Sequence, residues 1–175
     1  MAKRVRVRVE FPYFIPKAAP VSGEVGNLDV DCVFELIDEN GDLQHWLEVT
    51  TPITTVCPCS RDISDYGAHN QRGRVTVRAR CSNDEAELPA LVWIEELVEV
   101  AEAAGSSPVY PVVKRPDERH ITMAAYDKPQ FVEDVARDVA ARLAGDERIA
   151  AYDIFVENDE SIHAHNAFAR CRRAR

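Results

Sequence analysis

Between Val56 and Arg72 the chain gathers two thiols, an imidazole, a tyrosine and two carboxylates in one short segment, VCPCSRDISDYGAHNQR. Thiolate and imidazole together suit zinc or ferrous iron, and a loop held between strands is a usual place to present such ligands. Cys57-Pro58-Cys59 is a C-x-C pair, tighter than the knuckle of a zinc finger, and no second cysteine pair follows it. A structural site with four cysteine ligands is therefore not expected. One thiolate with His69 makes two ligands of an open centre, which needs three protein ligands and keeps a position for water. The third must come from elsewhere in the chain.

Two later segments offer it. Lys114-Arg115-Pro116-Asp117-Glu118-Arg119-His120 is read as a loop of mixed charge whose proline fixes its shape. Glu157 to His165 lies where one strand is expected to turn into the next, and in a strand His163 and His165 point to the same face, a geometry that serves metal binding or proton transfer. The plain reading of that segment is a polar hairpin with incidental histidines. His45 and His120 stand outside any cluster, and Cys32, Cys81 and Cys171 sit in strand-like surroundings as packing residues. Glu133, read by itself, is an acid near the positive end of a helix dipole. The same carboxylate has the acceptors to take the two N–H groups of a guanine edge.

The elements that must position these groups follow from periodicity. Arg4 to Val9 alternates Arg and Val, the period-2 mark of a strand that continues to Ile15. A second extended run, Asn27 to Ile37, ends at Asp38-Glu39-Asn40-Gly41-Asp42, where Asn-Gly supplies the positive φ angles of a tight hairpin. Leu43 to Thr55 returns and runs directly into the cysteine loop, and Arg72 to Arg80 alternates again. The period then changes: Glu87 to Ala104, with Leu88, Leu91, Val92, Val98 and Ala101, is spaced as a helix that Gly105 stops. After a proline-punctuated stretch a second helix is expected from about Pro129 to Ala144, its stripe formed by Val132, Val135, Ala136, Val139 and Leu143. Arg148 to Val156 and Ile162 to Cys171 read as closing strands. The economical arrangement is α+β, one antiparallel sheet with two helices on one face.

Bulk properties bound the function. A length of 175 residues suits a single domain over 1–175, and 46% hydrophobic with 29% charged residues argues for a packed core. A formal net charge of −9 argues against a general nucleic-acid binder, because phosphate neutralisation needs a basic surface. No apolar run approaches the roughly 20 residues of a bilayer span, and Met1 to Arg6 carries no signal-peptide core. Five cysteines, an odd number, are expected as reduced thiols of a soluble cytoplasmic protein.

Five segments in order carry a family resemblance: EFPYFI with KAAPVSG (Glu10 to Gly23), the cysteine loop with CPCSRDISDYGAHNQR, PVVKRPDE (Pro111 to Glu118), AYDKPQFVEDVARD (Ala125 to Asp138) and VENDESIHAHNA (Val156 to Ala167). Over nearly the whole chain these resemble the type IB GTP cyclohydrolase I family. The resemblance implies the tunnelling fold, whose antiparallel sheet with two helices on one face assembles into oligomeric barrels. It implies hydrolysis of GTP to 7,8-dihydroneopterin triphosphate and formate, the entry to folate and related pterins, with Zn, Fe(II) or Mn as the metal. Cys57, His69 and Glu118 match the metal-binding positions, and Glu133 matches the acid that anchors the purine. Glu160, His163 and His165 match the polar cluster of the active site. Lys114 and Arg115, with the Arg72, Arg74 and Arg78 face, are candidates for the triphosphate, since forked donors suit phosphate oxygens.

Members of that family are usually longer, with an additional N-terminal module that supplies a second copy of the fold. This chain starts near where that module would end. A pocket shared between subunits would then be completed by a homo-oligomer or by a separately encoded partner module. The same residues are compatible with an enzyme of this fold acting on another purine or pterin, and the fold alone with a non-catalytic subunit of a hetero-oligomer. Cys57, His69, Glu118, Glu133 and His163 together argue against the last, because a purely structural subunit has no physical need of them.

Overall fold

In the structure, a computed structural model that describes residues 4–82 and 91–174, the alternating segments become one antiparallel sheet. Its strands are β1 (Arg4–Ala18), β2 (Val25–Glu39), β3 (Asp42–Val56), β4 (Asn70–Cys81), β5 (Ser107–Pro108), β6 (Ile149–Asn158) and β7 (Ala167–Arg173), interleaved with α1 (Pro58–Ile63), α2 (Ile94–Ala104), α3 (Arg115–Asp127) and α4 (Val132–Ala144). The order across the sheet is β1-β2-β3-β4-β6-β7, with the short β5 paired to β3. The β2–β3 hairpin turns on Asn40 and Gly41 with φ of 57° and 92°, the left-handed pair that Asn-Gly was expected to provide. Pro12 and Pro16 fall in β1, an edge strand, where a missing N–H is tolerated. Pro52 lies in β3 beyond Thr50, where pairing with β2 has ended.

Two faces divide the labour. On one, Val49, Ile53, Val75, Val77, Ile154 and Val156 pack against Leu97, Val98 and Ala101 of α2 and Val132, Val135, Val139 and Leu143 of α4. Each such aliphatic side chain, once buried, contributes roughly 1.5–3 kcal/mol. Layer contact therefore holds the two helices more than their own propensity does. The opposite face carries Arg74, Thr76, Arg78 and Arg80 of β4. There Arg6 and Arg78 converge on Glu35, which is only 2% exposed and would otherwise be a lone buried charge. Cys32 and Cys81 are core residues as expected, and burial pushes the Cys32 thiol up to about 11, so it stays protonated at neutral pH.

The α+β architecture is as expected, with α2 and α4 as its two helices, but two further helices appear and two expected boundaries move. Lys114 to His120 is not a loop: it is the start of α3. Pro116 reads as a breaker in sequence, yet it occupies the first turn, where no N–H is needed, and Asp117 Oδ2 accepts the Lys114 N–H at 2.8 Å as a cap. The six-residue α1 inside the cysteine loop has no apolar stripe to announce it, none of its residues being buried. The last strand begins at Ala167 rather than Ile162, so His163 and His165 lie in the bend before it. Leu91 and Val92 precede α2 in non-helical chain, while the expected start from Glu87 through Leu88 lies outside the described residues. No helix among the described residues is long and apolar enough to cross a membrane.

Candidate active site

The end of β3 delivers Cys57, and the start of β4 receives His69. Between them the chain is cinched at its neck: the Cys57 N–H donates to the His69 carbonyl at 3.1 Å, and the His69 N–H donates to Ser60 Oγ at 3.1 Å. Cys57 caps α1, its Sγ accepting the Ser60 N–H at 3.5 Å. Arg61 Nη1 donates to the Tyr126 carbonyl at 3.1 Å, which fastens α1 to the end of α3. The two candidate ligands thus sit side by side because two adjacent strands end there.

Two further elements close around them. The Gln130 N–H donates to the Val56 carbonyl at 3.0 Å, which brings the N-terminus of α4, with Phe131 and Glu133, over the end of β3. From β6 the chain passes Asn158 into the bend 159–166. There the Asp159 N–H donates to the Arg72 carbonyl at 2.9 Å, and Asn166 Nδ2 reaches Glu157 Oε1 and Asp159 Oδ1 at 3.3 and 3.2 Å. The bend presents Glu160, His163 and His165. The two imidazoles stack with centroids 5.3 Å apart and planes 29° from parallel. Strand alternation does not pair them; the bend does.

The result is a cleft of about 340 Å³ lined by Cys57, His69, Glu133, Glu160, His163 and His165, with Cys59, Gln71, Phe131 and Asn158 among its other walls. That size accommodates a small ligand. Six of the nine residues singled out in the sequence meet there. Lys114, Arg115 and Glu118 do not line it: they cluster on the first turn of α3, where Lys114 pairs with Glu24 at 3.5 Å and Glu118 is exposed. Arg74 and Arg78 lie on the opposite sheet face from Gln71, Arg74 held by Asp159 at 3.3 Å and Arg78 by Glu35, so neither reaches the cleft.

A thiol and an imidazole in one cleft with two carboxylates fit a divalent ion in donor chemistry. In geometry the fit is partial, for no three His, Cys, Asp or Glu among the described residues stand close enough to enclose a metal. Cys57 and His69 would hold one side of the ion, and a third donor must be brought in.

Sequence reasoning missed Gln71 and Asn158. Gln71 had a readable signal, since two residues after His69 in an extended run it shares that residue's face. Asn158, 2% exposed, had none; its Oδ1 is buried and unpartnered, and it lies 2.5 Å from where a Cβ on Gly73 would stand. Gly73→Ala should therefore push the amide of Asn158 aside and cost about 1–3 kcal/mol by overpacking. Thermal denaturation measures this; an unchanged midpoint would show that the site relaxes freely.

Comparison with known proteins gives the family of the chain. The family model for type I GTP cyclohydrolase folE2 matches residues 1–169. The curated GTP cyclohydrolase FolE2 of Thermotoga maritima is 50% identical over 170 residues, 96% of this chain and 62% of the relative. That of Caldicellulosiruptor saccharolyticus is 48% identical over 169 residues, again 96% and 62%. The chain thus spans less than two thirds of the length of these relatives. Among solved structures, a highly active mutant of Bacillus sp. TB-90 urate oxidase matches with a TM-score of 0.51 at 9% identity, over 99% of this chain and 65% of that one. That likeness concerns fold alone, and it supports the tunnelling fold for the sheet and its helices. By a match over almost its whole length and by these identities, the chain belongs to the type I GTP cyclohydrolase FolE2 family.

Proposed function

We propose that the protein is a metal-dependent GTP cyclohydrolase I of the cytoplasm, converting GTP and water to 7,8-dihydroneopterin triphosphate and formate. The observation that carries this reading is the single cleft that brings Cys57, His69, Glu133, Glu160, His163 and His165 together from four parts of the chain. The metal, Zn, Fe(II) or Mn, would supply a bound water acidic enough to ionise near neutral pH. Cys57 and His69 would hold it, with Glu118 as the third ligand. Glu133, on the first turn of α4, accepts the paired N–H groups of the guanine edge. His163, His165 and Glu160 move the protons that ring opening and formate release require. Lys114 and Arg115 would supply positive charge to the triphosphate.

Glu118, Lys114 and Arg115 stand outside the cleft of one chain, so the proposal includes assembly that completes it. That assembly is a homo-oligomer or a complex with a separately encoded partner module. Ile63, Phe131 and Ile162 support it, being 86%, 40% and 64% exposed on the segments that carry the cleft residues. Anaerobic loading with each metal, incubation with GTP, oxidation and dephosphorylation should yield fluorescent neopterin. Absence of that product with all three metals would overturn the reading for the isolated chain.

A further inference from the structure

Among the described residues the His69 ring makes two hydrogen bonds, and both fall on the same nitrogen. Gln71 Oε1 lies 3.0 Å from Nδ1, and Ser161 Oγ lies 3.1 Å from it. An amide oxygen only accepts, so with Gln71 Oε1 turned to the ring the proton is assigned to Nδ1. A neutral imidazole has one N–H, which leaves the lone pair on Nε2. Gln71 is 7% exposed and fixed in β4 opposite Thr55, so its acceptor is held in place rather than sampled. Ser161, by contrast, is exposed in the bend that carries His163 and His165.

We infer that Gln71 is the positioning residue that makes His69 a metal ligand, by binding the Nδ1 proton and presenting Nε2 to the cleft. This rests on the metal site proposed above. Outer partners of ligating histidines fix tautomer and ring orientation, and their loss weakens metal binding by roughly 10–100-fold. The sequence shares in the arrangement: residues two apart at the start of a strand face the same way, so His69 and Gln71 meet without any long-range contact.

The test is titration of metal-free protein with Co(II) against a competing chelator, followed by the sulfur-to-cobalt charge-transfer absorption. Gln71→Met should bind Co(II) roughly 10–100-fold more weakly and still show the band at saturation, because Cys57 is untouched. Gln71→Asn withdraws the acceptor by one methylene without burying a thioether, and should show the same weakening. Gln71→Glu restores an acceptor of the same reach and should return the affinity to within a few-fold of the parent, a rescue that a merely structural role would not give. If Gln71→Met and Gln71→Asn match the parent while Cys57→Ala loses the band, the inference about Gln71 fails and the metal site stands. If the parent and Cys57→Ala bind cobalt alike, the metal site itself is wrong.

Discussion

Cys57→Ala should give a folded protein that neither retains a divalent metal nor turns over GTP, with turnover lower by more than about 100-fold. Substitutions one shell away from a metal already cost roughly 10–100-fold, so removal of a ligand must cost more. The fold should tolerate the change, because Cys57 is only partly buried and α1 lacks buried residues of its own. Cys59→Ala is the matched control: its thiol is exposed and two residues away, and full metal retention is expected of it. Metal content after dialysis and the neopterin assay read both variants. A Cys57→Ala protein that kept its metal and its turnover would remove Cys57 from the ligand set.

The second large effect belongs to Asp117, which carries no chemistry in the proposed reaction. Its side chain is fully buried and takes four donors: Val21 N–H and Ser22 N–H on Oδ1 at 2.8 Å each, Ser22 Oγ on Oδ2 at 2.6 Å, and Lys114 N–H on Oδ2 at 2.8 Å. It therefore pins the turn between β1 and β2 to the start of α3, beside Lys114, Arg115 and Glu118. Asp117→Ala leaves three backbone N–H groups without that partner and should lower the thermal midpoint by roughly 6–12 °C. Asp117→Asn should fall between, since its amide nitrogen suits Ser22 Oγ but opposes the Lys114 N–H. Equal midpoints for all three proteins would show that α3 is held by other contacts.

The same carboxylate sets an acid limit. Burial raises its pKa, but the Ser22 hydroxyl and the N–H groups of Ser22, Lys114 and Val21 outweigh burial and hold it well below the usual carboxylate range. A depressed folded value means stability that is fully present above the ordinary value near ~4 and lost as pH falls below it. The midpoint of the parent should fall more steeply below about pH 4 than that of Asp117→Ala.

How much of this was legible in sequence depended on the range of the interactions involved. Strict alternation at Arg4 to Val9 and Arg72 to Arg80, and the Asn40-Gly41 turn, are local signals, and β1, β4 and the β2–β3 hairpin lie where those signals put them. The stripe of Val132, Val135 and Val139 gave α4 for the same reason. The whole of α3 is absent from the sequence reading because Pro116 has two meanings, and only the cap formed by Asp117 at Lys114 selects between them. At the site, Cys57 and His69 were readable as types at a spacing. Asn158 was not, because its place in the cleft depends on the pairing of Gly73 with Asn158 across two strands far apart in sequence.

The cinched neck of the cysteine loop has a consequence for how this protein can be altered. Because Cys57 and His69 are joined backbone to backbone at 3.1 Å, the residues between them form a closed ear whose tip ends in a fully exposed Tyr66 and a Gly67 at φ 147°. Chain can be lengthened or shortened at such a tip at small entropic expense, since closure costs grow only logarithmically with length. The ear is thus a port: a dye, an affinity peptide or a surface tether grafted at Tyr66 would report from a few residues beyond the proposed metal ligands while leaving their spacing to the neck.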